Sequence, residues 1–305
     1  MLAKPILAAT LSVVATLCVA FSAGAALAQT APNTGYGNPM ESGRLLLTGG
    51  VSNVEGAGGG GLATWALITG YGTDDAVGAN IHGTYVRLSD YQLGSEGFAF
   101  GINNRVEISY AHQDFNTLKV GGALGLGRNF TFSQDIVGAK VRLYGDTVYD
   151  QDSYLPQLAA GVQYKIGNKN SIVRAVGAKD SQGADFYLAA TKLYLEQSLL
   201  VDATVRMTRA NELGILGFGG PRNNGYKPQF EGSVAYLLTK SIAIGGEYRT
   251  KSSNLGFTKE TDWKDLFIAW APTKNISVTL AYVDLGTIAT KKDERGVYLS
   301  TQIGF

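Results

Sequence analysis

Gly296-Val-Tyr-Leu-Ser-Thr-Gln-Ile-Gly-Phe305 alternates without a break. Val297, Leu299, Thr301, Ile303 and Phe305 fall on one side, and Tyr298, Ser300, Gln302 and Gly304 on the other. A period of two is the signature of a β-strand. Ten residues are about what a tilted strand needs to cross a bilayer. One face is mainly apolar and the other small or polar, so this strand separates two different media.

The stretch resembles the last strand of bacterial outer-membrane β-barrels. That resemblance implies that Phe305 serves as a signal to the barrel-assembly machinery. The amino-terminal residues agree. Lys4, the apolar run Ile6–Ala20 and the small-x-small site Ala26-Leu27-Ala28 predict a cleaved secretory signal peptide over residues 1–28. Cys18 lies inside it, so the mature chain is expected to have no thiol or disulfide chemistry. Cleavage removes Lys4 and no acid, which leaves 25 basic and 25 acidic side chains. Zero net charge argues against nucleic acid as a partner. Glycine, at 40 of 305 residues, is well above its usual share of about 7%.

Residues 29–42 read as a flexible lead-in and 43–305 as one all-β, transmembrane, antiparallel up-and-down barrel. Counting back from Phe305, alternating segments give about 14 strands, beginning with Arg44–Val51 and Leu62–Tyr71. The first hairpin is the irregular one. Leu45-Leu-Leu47 does not alternate and Gly58-Gly-Gly-Gly61 is very flexible. Twelve strands, with that segment tucked into the lumen, is therefore the alternative. Short turns such as 196–198 and 238–240 alternate with long polar connections such as 211–227 and 251–262. Periplasmic turns and extracellular loops of membrane barrels follow that pattern. Three stretches, Leu45–Gly61, Tyr149–Tyr164 and Ala281-Tyr-Val-Asp-Leu-Gly286, resemble the proteobacterial family catalogued as domain of unknown function 3034. The resemblance implies an outer-membrane barrel and carries over no activity or site residue.

Strand phase sorts the side chains. Val137, Val141, Val201, Val205, Ile244 and Tyr248 are expected to face lipid. Arg105, Glu107, Lys140, Arg142, Lys165, Lys192, Asp202, Arg206, Glu231, Glu247 and Arg249 are expected to line the lumen. A lipid-facing Arg or Lys at the midplane would cost roughly 2–4 kcal/mol, so this one-sidedness is informative. Lys140, Arg142, Lys165 and Lys192 would form a basic wall and give an open pore a preference for anions. Trp65, Tyr71, Trp263, Trp270, Tyr282 and Tyr298 are expected at the aromatic girdles.

No catalytic residue, cofactor or metal is expected. His112 with Ser109, Asp114 or Asp90 is a candidate constellation that no motif fixes. The Gly58–Gly61 run lacks the Lys-Ser/Thr of a phosphate loop, and no Cys/His cluster suggests a metal. The expected function is a passive, porin-like channel for small solutes in the outer membrane, with the lipid bilayer as its other partner. Alternatives are a plugged importer of hydrophobic compounds, with Leu45–Gly61 as plug, a surface-facing hydrolase, and a structural barrel without transport. Deleting Phe305 is expected to reduce sharply the heat-modifiable, folded barrel recovered from outer membranes. Normal recovery would contradict the terminal-strand reading.

Overall fold

The computed structural model describes residues 46–49, 51–148 and 150–305. The expected signal peptide and lead-in lie outside the described residues. Twelve strands, all in antiparallel pairs between neighbours, close into one barrel. They are β1 Val77–Leu88, β2 Gln92–Ile102, β3 Val106–Asn116, β4 Thr131–Tyr144, β5 Gln157–Gly167 and β6 Gln182–Tyr194. The remaining six are β7 Leu199–Thr208, β8 Lys227–Leu237, β9 Ile242–Arg249, β10 Trp263–Trp270, β11 Ile276–Asp284 and β12 Arg295–Gly304. The alternating stretch Gly296–Phe305 forms the closing seam. β12 pairs with β1 from Asn80↔Gly304 to Leu88↔Gly296. Phe305 extends the seam, its N–H donating to Ala79 O at 2.8 Å and its carbonyl accepting from Tyr71 N–H at 2.7 Å.

The expected count of 14 is corrected to 12. Twelve of the anticipated strands are present, and the first two are not strands. The described part of 44–51 is turn, and 62–71 is irregular. Both lie inside the barrel. A segment without alternation has no apolar face to offer lipid, and so it is buried by the wall instead.

The barrel is inside out relative to a water-soluble protein. Val137, Leu188, Val234 and Leu280 are about half exposed on the outer surface, whereas Lys140, Lys165 and Arg206 are fully buried inside. Only a hydrocarbon surround stabilises that distribution, and this marks a bilayer-spanning barrel. The lipid-facing residues named from strand phase all keep that face.

Connections at the Phe305 end are short at 103–105, 195–198, 238–241 and 271–275. Those at the opposite end are long at 117–130, 168–181, 209–226, 250–262 and 285–294. The alternation fails twice. Residues 89–91 make a tight turn among the long loops, and 145–156 make a long connection at the short-turn end. The latter folds beneath the barrel. There Thr147 donates to the Gln157 side chain at 3.0 Å, and Val148 packs with Leu193 and Leu200.

The Val205 side chain, on the outer face of β7, tests the phase assignment. Val205→Arg should lower the stability of the inserted barrel by roughly 2–4 kcal/mol if it lies near the midplane, while Val205→Leu should be neutral. Urea unfolding in bilayers measures both, and equal stabilities would mean that Val205 does not face lipid.

Candidate functional site

The described residues between 46 and 71 enter the lumen at the short-turn end, rise past its middle and return. Gly70 N–H donates to Gly49 O at 2.6 Å where the two limbs meet. Higher up, the Val54 carbonyl accepts from Ser95 Oγ at 2.7 Å and from Gln113 Nε2 at 2.6 Å. Because this backbone is irregular, only some of its N–H and C=O groups pair with one another, as Val54 N–H does with Gly61 O at 2.9 Å and Trp65 N–H with Gly58 O at 3.2 Å. The wall satisfies others. Glu107 accepts from the N–H groups of Gly58 at 3.0 Å and Thr69 at 2.9 Å. Glu247 accepts from Leu62 at 2.7 Å, Glu231 from Thr64 at 2.9 Å and the Thr191 hydroxyl from Ala66 at 2.7 Å. Lys140 donates to the carbonyls of Gly58, Trp65 and Leu67 at 3.0, 3.0 and 2.7 Å. Thr204 donates to Thr64 O at 2.7 Å.

The glycine run makes this approach feasible. A Cβ on Gly60 would sit 1.8 Å from a Glu247 carboxylate oxygen, and one on Gly58 would sit 2.8 Å from Glu107. These glycines form a cradle for carboxylates of the wall, not for phosphate.

At mid-lumen Glu55 is fully buried among three cations of the wall. Its carboxylate pairs with Lys165, with Arg249 at 2.7 Å and with Arg206 at 3.7 Å. Lys165 also pairs with Asp185 at 2.7 Å, and Arg206 with Glu231 at 2.5 Å. Lys140 pairs with Glu107 at 3.1 Å.

Nine of the eleven residues expected to line the lumen do so. Glu107, Lys140, Lys165, Asp202, Arg206, Glu231, Glu247 and Arg249 are buried on inward phases, and Arg142 stands at the short-turn mouth with Asp146 and Asp74. Two are corrections. Arg105 is exposed in the 103–105 turn, because the strand begins one residue later. Lys192 alternates with the inward set Tyr187, Ala189 and Thr191, and it is buried under the 145–156 connection, donating to the Asp150 carbonyl. The basic wall is also corrected, since Lys140 and Lys165 are matched by Glu107, Glu55 and Asp185. Asp185 and Asp265, not among the residues expected from the sequence, are also inward and buried, near the starts of β6 and β10. Of the expected girdle aromatics, Trp270 and Tyr282 are on the outer surface, whereas Trp65, Tyr71, Trp263 and Tyr298 are buried within.

The sequence matches the model of the family described as "Protein of unknown function (DUF3034)" over residues 48–302. The chain belongs to this family. No curated protein matches it. Among solved structures it is similar to the KdgM porin, with 12% identity, a TM-score of 0.48, and 74% of this chain and 99% of that one covered. It is also similar to the NanC porin, with 11% identity, TM-score 0.46, and 74% and 98% covered. The outer membrane phospholipase A of Escherichia coli gives 7% identity, TM-score 0.40, and 78% and 94% covered.

The candidate hydrolytic group converges only in part, His112 Nε2 lying 3.5 Å from Asp114. Ser109 is buried on the inner face of β3, while His112 and Asp114 share its outer phase. His112 Nδ1 lies 2.8 Å from Asp135, and Ser133 is bonded to Asp114 rather than to the histidine. Among the described residues no cluster could hold a metal ion.

The long-loop end is closed by a lid. Val120, Val173, Leu213, Leu255 and Ile288, each from a different loop, pack into one buried cluster with Tyr91 and Phe115. Glu212 and Leu213 take left-handed φ of 45° and 60°, a conformation that costs roughly 1–2 kcal/mol per residue. Lys251 holds them there. Its ammonium reaches Glu212 at 2.9 Å, Glu260 at 3.1 Å and Thr287 O at 2.7 Å, tying three loops together, and lies 5.3 Å from the Trp263 ring centroid.

Burial, and next the Glu212 carboxylate, push the Glu260 carboxyl up to about 10 against the pull of Lys251. The closed lid thus keeps a proton that a solvated Glu260 would release near 4.5. Its stability is complete below that value and falls as pH rises toward about 10. Acrylamide quenching of the buried Trp263 should therefore increase between about pH 5 and about pH 9, and Glu260→Gln should flatten the rise. A wild-type barrel whose quenching ignores pH would contradict this latch.

Proposed function

We propose that this protein is an outer-membrane conduit for small solutes whose lumen is closed at rest by residues 46–71. The passive diffusion expected from the sequence is thereby restricted to states in which that segment or the lid has moved. One observation carries the reading. The segment is held by side-chain contacts and ion pairs centred on Glu55, and among its described residues none pairs with a barrel strand as a further strand. The wall is complete without it, since β1 already pairs with β12. Moving the segment therefore leaves no strand edge unpaired in lipid. On this reading the protein is not an enzyme. The alternative of importing hydrophobic compounds is favoured by one feature, an apolar cavity between the segment and the wall.

Single-channel recording of the refolded barrel in planar bilayers tests the proposal. Wild type should be closed for most of the record. Glu55→Gln removes one partner of a buried ion cluster, a change worth roughly 3–5 kcal/mol, and should raise the open fraction by at least tenfold. Deleting residues 46–69 should leave a folded, steadily conducting barrel. Equal conductance in all three, or loss of folding on the deletion, would overturn the reading.

A further inference from the structure

The cavity lies in the short-turn half of the lumen and leaves about 40 Å³ in which the centre of a water-sized sphere can move. Its body is apolar. Leu47 comes from the inner segment, and Leu200, Leu237 and Phe267 come from the wall. Its polar end is of one sign. Glu247 on β9 and Asp265 on β10 are register partners, both inward and both buried. They differ from every carboxylate of the mid-lumen cluster, because no basic side chain pairs with either among the described residues. Arg249, two residues along β9, is engaged by Glu55 at 2.7 Å and Glu231 at 3.5 Å. Glu247 accepts backbone N–H groups of the inner segment, and Asp265 accepts the Glu247 N–H at 3.0 Å. Burying two carboxyls side by side without a cation is costly.

A second, independent observation points to an occupant. Trp65 lines the same cavity, is 95% buried, and its indole N–H has no hydrogen-bond partner. Buried indole donors normally find one. The wall thus offers an apolar sleeve, two uncompensated acids and an unmet donor.

We propose that this cavity binds a small amphipathic amine, its apolar body against Leu200, Leu237 and Phe267 and its ammonium on the Glu247–Asp265 pair. The ammonium supplies the missing counter-charge, and charge-assisted hydrogen bonds to two carboxylates fix its orientation. A neutral isostere keeps the apolar contact and loses that pairing. A carboxylate of the same shape would be repelled. The Trp65 N–H adds a donor for an oxygen or ring face on the ligand. Binding here requires only the closed barrel, so it stands or falls separately from conduction.

The test uses the full barrel in nanodiscs of zwitterionic lipid, with empty nanodiscs as the control for partitioning. Equilibrium dialysis compares 2-phenylethylamine with 2-phenylethanol and phenylacetate. The amine should bind saturably and at least tenfold more tightly than the alcohol, and phenylacetate should not bind. Asp265→Asn, which leaves the Glu247 contacts to the inner segment in place, should remove most of the preference for amine over alcohol. Ala269→Phe, filling the cavity from β10 away from the acids, should abolish saturable binding of both. Alcohol binding as tightly as amine in wild type would overturn the proposal. So would amine binding unchanged by Ala269→Phe, which would place the amine elsewhere.

Discussion

The pairing of Glu55 with Lys165, Arg206 and Arg249 is the interaction on which the interior depends. Three strands of the wall contribute cations, and the inner segment contributes the anion that lets them be buried together. Without that carboxylate the three cations would be left with Asp185 and Glu231 as their ion-pair partners, in an interior where unmatched charge is heavily penalised. Without the cations, the segment would have no counterpart for its one buried acid. Wall and segment are therefore complementary in charge, and with the segment gone only water could take its place beside these cations.

That constraint explains the composition around it. An irregular chain at membrane depth must find partners for its amides, and here they are partly its own backbone and partly carboxylates, hydroxyls, glutamines and one lysine of the strands. Charges that looked like the lining of an aqueous pore are mainly the hydrogen-bonding complement of a buried loop. Glycines 58 to 60 follow from the same requirement, since any side chain at Gly60 would collide with the carboxylate that its neighbours need. Above this level the lid relies on apolar packing and on Lys251, and below it the cavity is walled by apolar side chains. The interior thus grades from an apolar cap through an ionic middle to an apolar chamber with an acidic end.

Much of this was legible in the sequence, and the reason is periodicity. Where a strand separates lipid from a polar interior, alternation is enforced at every residue, and Gly296–Phe305 or Leu199–Thr208 can be read directly. The inner segment is under no such rule. Leu45–Leu47 and Gly58–Gly61 broke the pattern, and treating them as an imperfect hairpin gave two strands too many. Facing was read correctly wherever a strand's interior was long enough to set the phase. It failed at the ends, for Arg105 and Lys192, and missed Asp185 and Asp265 for the same reason. The inward positions of Trp65, Tyr71, Trp263 and Tyr298 were not legible, because an aromatic near a strand end suits a girdle and a packed lumen equally well.

The central claim is that the segment bearing Glu55 lies inside the barrel rather than in its wall. Ser52 Oγ donates to Asn80 Oδ1 at 2.9 Å, joining that segment to the inner face of β1. Cys18 is the only cysteine in the sequence, so a double variant in a Cys18→Ala background reports on this contact alone. Ser52→Cys with Asn80→Cys should form a disulfide on mild oxidation of the folded, membrane-inserted protein, seen as a redox-dependent gel shift. If the segment were instead the first hairpin of a 14-stranded wall, residue 52 would not face residue 80 across the lumen surface. Absence of the cross-link in folded barrel would contradict the account.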